Sequence, residues 1–118
     1  MGNFKQLKVW QYSVEIAVDI YKLTSKKPLA LDFGLCNQLQ RCSVSIPSNI
    51  AEGDELNSDA QAIKYFYYSK GSTAELITQL IICEKVGFID RAKATKLIER
   101  CNEISRMLNG IISFRSKK

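Results

Sequence analysis

Apolar side chains recur with helical period in four successive segments of this chain. The first segment runs from about Lys5 to Ser25. Leu7, Trp10, Val14, Ala17 and Tyr21 recur there at 3,4,3,4 spacing, which marks one face of a helix. A second stripe, Val9, Ile16, Ile20 and Leu23, is centred about 120° away at 100° per residue. Lys8, Gln11, Glu15, Asp19 and Lys22 fill only the remaining arc. A helix in a monomeric bundle needs one apolar face, so the second stripe predicts a contact with another subunit.

Pro28, in the loop Lys26-Lys-Pro-Leu-Ala30, ends this helix, and the next starts near Asp32. Its stripe is Leu35, Leu39, Cys42, Ile46 and Ile50. Pro47 falls inside that register. It cannot donate to the carbonyl of Ser43, and its ring crowds that turn. Because the apolar period continues to Ile50, the expectation is a kink at Pro47 rather than a stop. Ser43, Ser45 and Ser48 stand ready to satisfy freed backbone groups, and Gly53 reads as the C-terminal cap.

Ser58-Asp-Ala-Gln61 has the form of a capping box and opens the third helix. Ile63, Phe66, Tyr67, Ala74, Ile77 and Ile81 are its expected inner side, and Gly87 its end. Gly71 in mid-helix costs about 1 kcal/mol relative to alanine; a close approach of two helices is the reason expected for it. The fourth helix begins at the N-cap Asp90, with Ile89 placed to staple onto Ala94. It carries Leu97, Cys101, Ile104, Leu108 and Ile111. The tail Arg115-Ser-Lys-Lys118 is polar and expected to fray. Four helices with short connections predict an all-α fold, an up-down-up-down antiparallel four-helix bundle forming one domain over residues 1–118.

Composition narrows the chemistry. The chain has no histidine, and its four cysteines (Cys36, Cys42, Cys83, Cys101) form no C-x-x-C pair. That removes the usual zinc patterns, haem ligation and histidine-dependent dyads or triads, and predicts reduced structural thiols with no metal and no cofactor. No apolar run reaches membrane-spanning length, and the first residues lack a signal-peptide core, so the expected location is the cytoplasm. The chain begins Met-Gly, but Gln6 stands where a myristoylation signal needs serine or threonine. The net charge is +5, unevenly placed: residues 1–84 hold 8 basic and 9 acidic side chains, residues 85–118 hold 9 basic and 3 acidic.

Three groups of residues invite a functional reading. Lys93, Lys96 and Arg100 fall on one edge of the fourth helix, with Arg91 and Arg106 elsewhere on it. They read as a phosphate-contacting strip or as a solvated face screened by Glu99 and Glu103; repetition around an oligomer strengthens the first reading. Arg41, Ser45, Asn49 and Glu52 lie along one side of the second helix, where Glu75 and Gln79 can face them. They read as a structural hydrogen-bonded network or as a small-molecule or acid/base site. The run Tyr65-Phe-Tyr-Tyr68 points to all sides of its helix, so Tyr65 and Tyr68 are expected to stack bases or to pack at a subunit contact.

Several motifs together carry a resemblance. Phe4-x-x-Leu7-x-Val9-Trp10-Gln11 opens the chain, and Phe33-Gly34-Leu35-x-x-Gln38-Leu39-x-Arg41 follows. Then come Val44-Ser-Ile-Pro-Ser-Asn-Ile-Ala-Glu-Gly53, Gly71-Ser72-x-x-Glu75-Leu76-x-x-Gln79-Leu80 and Ile104-x-x-Met107-Leu108-x-x-Ile111. Over nearly its whole length the chain resembles the four-helix-bundle family named for proteins encoded in intervening sequences of bacterial 23S ribosomal RNA genes. The accessory protein of diversity-generating retroelements is a relative of the same build. The resemblance implies a four-helix protomer, a ring-like homopentamer with a basic surface, and no established enzymatic activity. For the retroelement branch it implies binding to nucleic acid and to a reverse transcriptase. Two departures remove positive charge: the acidic Asp54-Glu-Leu-Asn57 stands where two basic residues are usual, and Gln40 where an arginine is usual beside Arg41.

The reading that results is a non-enzymatic, self-associating scaffold or adaptor that binds RNA or DNA through Lys93, Lys96, Arg100 and Arg106. Its expected self-contact is Val9, Ile16, Ile20 and Leu23 with Tyr65 and Tyr68. A module that binds only proteins is the alternative. An enzyme using Arg41, Glu52 and Glu75 is the remote one, to be judged by whether those three converge on an open cleft.

Overall fold

A computed structural model describes residues 2–117. Four α-helices account for most of them: α1 (Lys8–Thr24), α2 (Phe33–Glu55), α3 (Asp59–Lys85) and α4 (Arg91–Ser116). Two short 3-10 turns, Phe4–Gln6 and Leu29–Leu31, precede α1 and α2. A 27-residue helix is about 40 Å long at 1.5 Å per residue, close to the full 47 Å of a molecule only 20 Å across. With such short connections each helix has to run back along the one before it.

The side-chain pairings confirm this direction. Ile46 of α2 meets Ser69 of α3, while Cys42, one turn earlier, meets Ser72, one turn later. Asp19 of α1 meets Arg100 of α4, and Asp54 and Asp59 meet Arg115. Helices adjacent in sequence are adjacent in space, and α4 closes against α1. The fold is an all-helical four-helix bundle.

Local signals act at the ends of the helices. Asp32, Ser58 and Asp90 cap α2, α3 and α4 by accepting from the backbone N–H of Leu35, Gln61 and Lys93 at 3.0, 3.3 and 2.7 Å. Gly87, at φ 87°, terminates α3. The Phe88 and Gly87 N–H groups donate to the carbonyls of Cys83 and Glu84, a Schellman closure that the left-handed glycine permits. Helix α2 passes through Pro47 without interruption. Two of the three serines expected to repair the backbone there are otherwise engaged: Ser43 donates to Gln40 O, and Ser45 pairs with Ser72.

The interior corrects the expected inner faces of two helices. On α1, Val9, Ile16, Ile20 and Leu23 are buried in the protomer's own core, Ile16 and Ile20 with no exposed surface. So enclosed, they leave almost no surface for the self-contact expected of them. These branched aliphatic side chains join the one core cluster shared by the helices, and the outward apolar residues are Tyr12, Val18 and Tyr21. On α3 the inner stripe is Ala62, Phe66, Ser69, Thr73, Leu76, Leu80 and Cys83, whereas Tyr67 and Ile81 face solvent. Two hydroxyl residues sit in that stripe because carbonyls accept from them: Ser69 Oγ donates to Ile46 O and Thr73 Oγ1 to Ser69 O, both at 2.9 Å.

Gly53 takes the role expected of Gly71. A Cβ at Gly71 would meet nothing within 4 Å. Gly53 is a buried residue inside α2 rather than its cap; a Cβ there would lie 3.0 Å from Ala62 O and 3.1 Å from the Phe66 ring. The close approach of α2 and α3 is therefore at Gly53. Arg115 does not fray. It donates to Asp54 at 2.5 Å and lies over the Phe66 ring, 5.4 Å from its centroid. Lys118, the end of the same tail, lies outside the described residues.

Candidate nucleic-acid interface

The seam between α1 and α4 is the least extensively packed of the four between neighbouring helices. It opens into a groove of about 750 Å³. From α4 come Lys93, Lys96, Arg100 and Arg106, the four residues expected to contact phosphate. Arg106, which by helical angle belongs to another face, reaches the groove by folding back on Glu103 at 2.6 Å. From the end of α1 comes Lys22, and from the turn just after it Lys26, both of which sequence reasoning missed. Their signal was available: two lysines four apart, one in the last turn of a helix and one just past its end, face the first turns of its antiparallel partner.

The groove is graded along its length. Lys22, Lys26, Lys93 and Lys96 occupy one end, and among the described residues none of them is held in an ion pair. At the middle Arg100 Nη1 meets Asp19 Oδ2 at 2.5 Å. Towards the other end Glu103 and Glu15 dilute the charge. Against these six cations the groove sets the carboxylates Asp19, Glu99 and Glu103, so its net field is positive. The low-dielectric wall formed by Leu23 and Leu97 concentrates that field.

The polar residues of α2 and α3 are only partly brought together. Arg41, Ser45 and Glu75 line a second, smaller cleft of about 430 Å³ with Cys42 and Ser72. Asn49 stands behind it and donates to both Ser45 O and Ser45 Oγ at 2.9 Å. Glu52 is directed away and hydrogen-bonds the Tyr65 phenol, which raises the pKa of that phenol. Gln79 is buried, and among the described residues its Oε1 finds no hydrogen-bond partner. The Arg41, Glu52 and Glu75 constellation thus loses its middle member.

The Cys42 thiol at the floor donates to Ser72 O at 2.9 Å. Burial, then the Glu75 carboxylate, pushes its pKa up to about 12, so it is held as a neutral donor. Tyr65 and Tyr68 form an edge-to-face pair, with centroids 5.4 Å apart. Tyr68 is exposed, but neither ring lines the basic groove.

An all-helical bundle with a basic groove between its first and last helices is the class of protein that these features define. A family model for the 23S rRNA-intervening sequence protein matches residues 5–110. The chain belongs to that family. A solved structure of a protein of unknown function from the S23 ribosomal protein family of Bacteroides thetaiotaomicron superposes with a TM-score of 0.81 at 26% identity. The match covers 88% of this chain and 97% of that one. No curated protein sequence matches the chain. Among the described residues no helix is long and apolar enough to cross a membrane.

Proposed function

We propose that the protein is a non-enzymatic, self-associating scaffold of the cytoplasm that holds RNA or DNA in the groove between α1 and α4. The observation that carries this reading is the gathering of Lys93 and Lys96 of α4 with Lys22 of α1 and Lys26 of the turn after it around one open groove. Unpaired lysines on a concave surface supply the sequence-independent attraction that phosphate backbones need. A homopentamer, the assembly implied by the family resemblance, repeats the groove around a ring and multiplies its field. Self-association draws support from the outward Tyr12, Val18 and Tyr21 of α1 and from Tyr67, Ile81 and Ile82 of α3, all substantially exposed in the protomer. A reverse transcriptase is one protein partner that such a complex would serve.

The test is a titration of the purified protein with a structured RNA and with a DNA duplex at two salt concentrations. Affinity that falls steeply with salt supports the scaffold. Absence of binding at low salt removes it, leaving a module that binds proteins alone, a reading that the same exposed apolar residues favour.

A further inference from the structure

We propose that the cleft between α2 and α3 is a separate binding site for a small zwitterion of the amino-acid class, with Arg41 taking its carboxylate and Glu75 its ammonium group. The two residues project from different helices onto one cleft. Among the described residues neither forms an ion pair, with the other or with any third group. The Glu75 carboxylate accepts from the Cys42 thiol at 3.6 Å, a neutral donor that leaves its charge uncompensated, and a guanidinium and a carboxylate that share a cleft without an ion pair suit a ligand carrying both signs of charge. A ligand of one sign meets repulsion from one wall. The space, about 430 Å³, is of the size that small ligands occupy, about 300–1,000 Å³.

The floor is organised beforehand. Ser45 Oγ and Ser72 Oγ are 2.9 Å apart, and Ser45 Oγ also accepts from Asn49 Nδ2. Whichever serine donates to the other, one hydroxyl proton is left for a further acceptor. The Cys42 thiol ties the wall to the backbone at Ser72. Asn37 and Gln38 add amide groups from α2. With one cation and one anion the cleft has no net charge, so it lacks the attraction for a polyanion that marks the groove between α1 and α4. It is a site of different chemistry on a different seam.

Calorimetric titration of the full-length protein with each of the twenty common L-amino acids, at millimolar concentration, tests this. Saturable binding of at least one of them is expected. Its N-acetyl and carboxamide derivatives, which lack one charge each, should bind at least about tenfold more weakly, the loss of one charge-assisted hydrogen bond. Arg41→Gln and Glu75→Gln, both at exposed positions, should weaken binding by a similar factor while circular dichroism stays unchanged. The Lys93→Gln/Lys96→Gln variant should bind as the parent does. Three outcomes overturn the proposal: no heat from any amino acid, binding insensitive to both cleft substitutions, or a change of particle mass in Arg41→Gln or Glu75→Gln, which reassigns the cleft to a contact between copies.

Discussion

The α2–α3 seam and the α1–α4 seam of this bundle are built from opposite materials. Between α2 and α3, Gly53 admits the Phe66 ring and the Ala62 carbonyl at contact distance, and Ser69 donates across the seam to Ile46 O. Small and hydroxyl side chains let the backbones close, and every ångström of approach adds dispersion contacts. Between α1 and α4, long charged side chains hold the helix edges apart. The principal cross-seam polar tie there, Arg100 to Asp19, is 39% exposed on both sides, and ion pairs of that exposure contribute about 0.2–1 kcal/mol. The lesson is a division of labour: one seam holds the bundle together, so the other is free to stay open and charged.

Substitutions on the two seams should therefore have opposite signatures. The largest effect on stability is expected from Phe66→Ala, which empties the position packed against Gly53 and Arg115. It should destabilise the protomer by about 3–5 kcal/mol in denaturant unfolding. A loss below about 1 kcal/mol would show that the α2–α3 seam is not the dominant one.

Alkaline pH probes the interior on both sides of the bundle. Burial pushes the thiols of Cys101 and Cys42 up to about 12, and that of Cys83 to about 11. A group whose folded pKa lies above its unfolded value of about 9 favours folding fully below pH 9. That contribution is lost as pH rises from about 9 towards 12. Unfolding midpoints should hold near neutrality and fall across that window. In the native protein at pH 7 the four buried thiols should react with a thiol reagent far more slowly than after unfolding. Rapid labelling of native protein would contradict the buried placement.

On the open seam the signature reverses. Lys93→Gln/Lys96→Gln should leave stability within about 0.5 kcal/mol, since both side chains are exposed. The same variant should reduce the slope of log affinity against log salt by about 2 for each protomer engaged with nucleic acid. An unchanged slope would place the phosphate contacts elsewhere. The smallest effect is expected from Asp19→Asn. It removes the carboxylate that holds Arg100, costs about 0.2–1 kcal/mol, and frees the guanidinium for phosphate. Binding should tighten modestly, and weaker binding would mean that Asp19 positions Arg100 for the ligand.

Much of this architecture was legible from local signals, and the misreadings share one cause. Asp32, Ser58, Asp90 and Gly87 act on backbone groups within a few residues of themselves, so their roles follow from sequence. On α1 the sequence displayed two apolar stripes and no means of ranking them; packing against α2 and α4 chose Val9, Ile16, Ile20 and Leu23 for the interior. On α3, Ser69 and Thr73 read as polar, and only the carbonyls that accept from them make them core residues. Gly71 looked like the close approach until the helices were in register, which placed Gly53 there instead. Arg115 looked like part of a loose tail because its partners, Asp54 and Asp59, are distant in sequence.

The functional surfaces divide in the same way. Four cations of the basic groove were evident along α4, but Lys22 and Lys26 joined them only through antiparallel pairing with α1. Of the polar residues on α2 and α3, Arg41, Ser45 and Glu75 reached a common cleft, while Glu52 turned to Tyr65. By itself the sequence determined four helices, the caps at Asp32, Ser58, Asp90 and Gly87, the bundle class and the uneven charge, because periodicity and capping act over one or two turns. The tertiary structure alone decided which stripe is buried, where two helices touch and which distant charges share a groove. Those outcomes depend on the register between helices, and register is set by how side chains from different segments fit together.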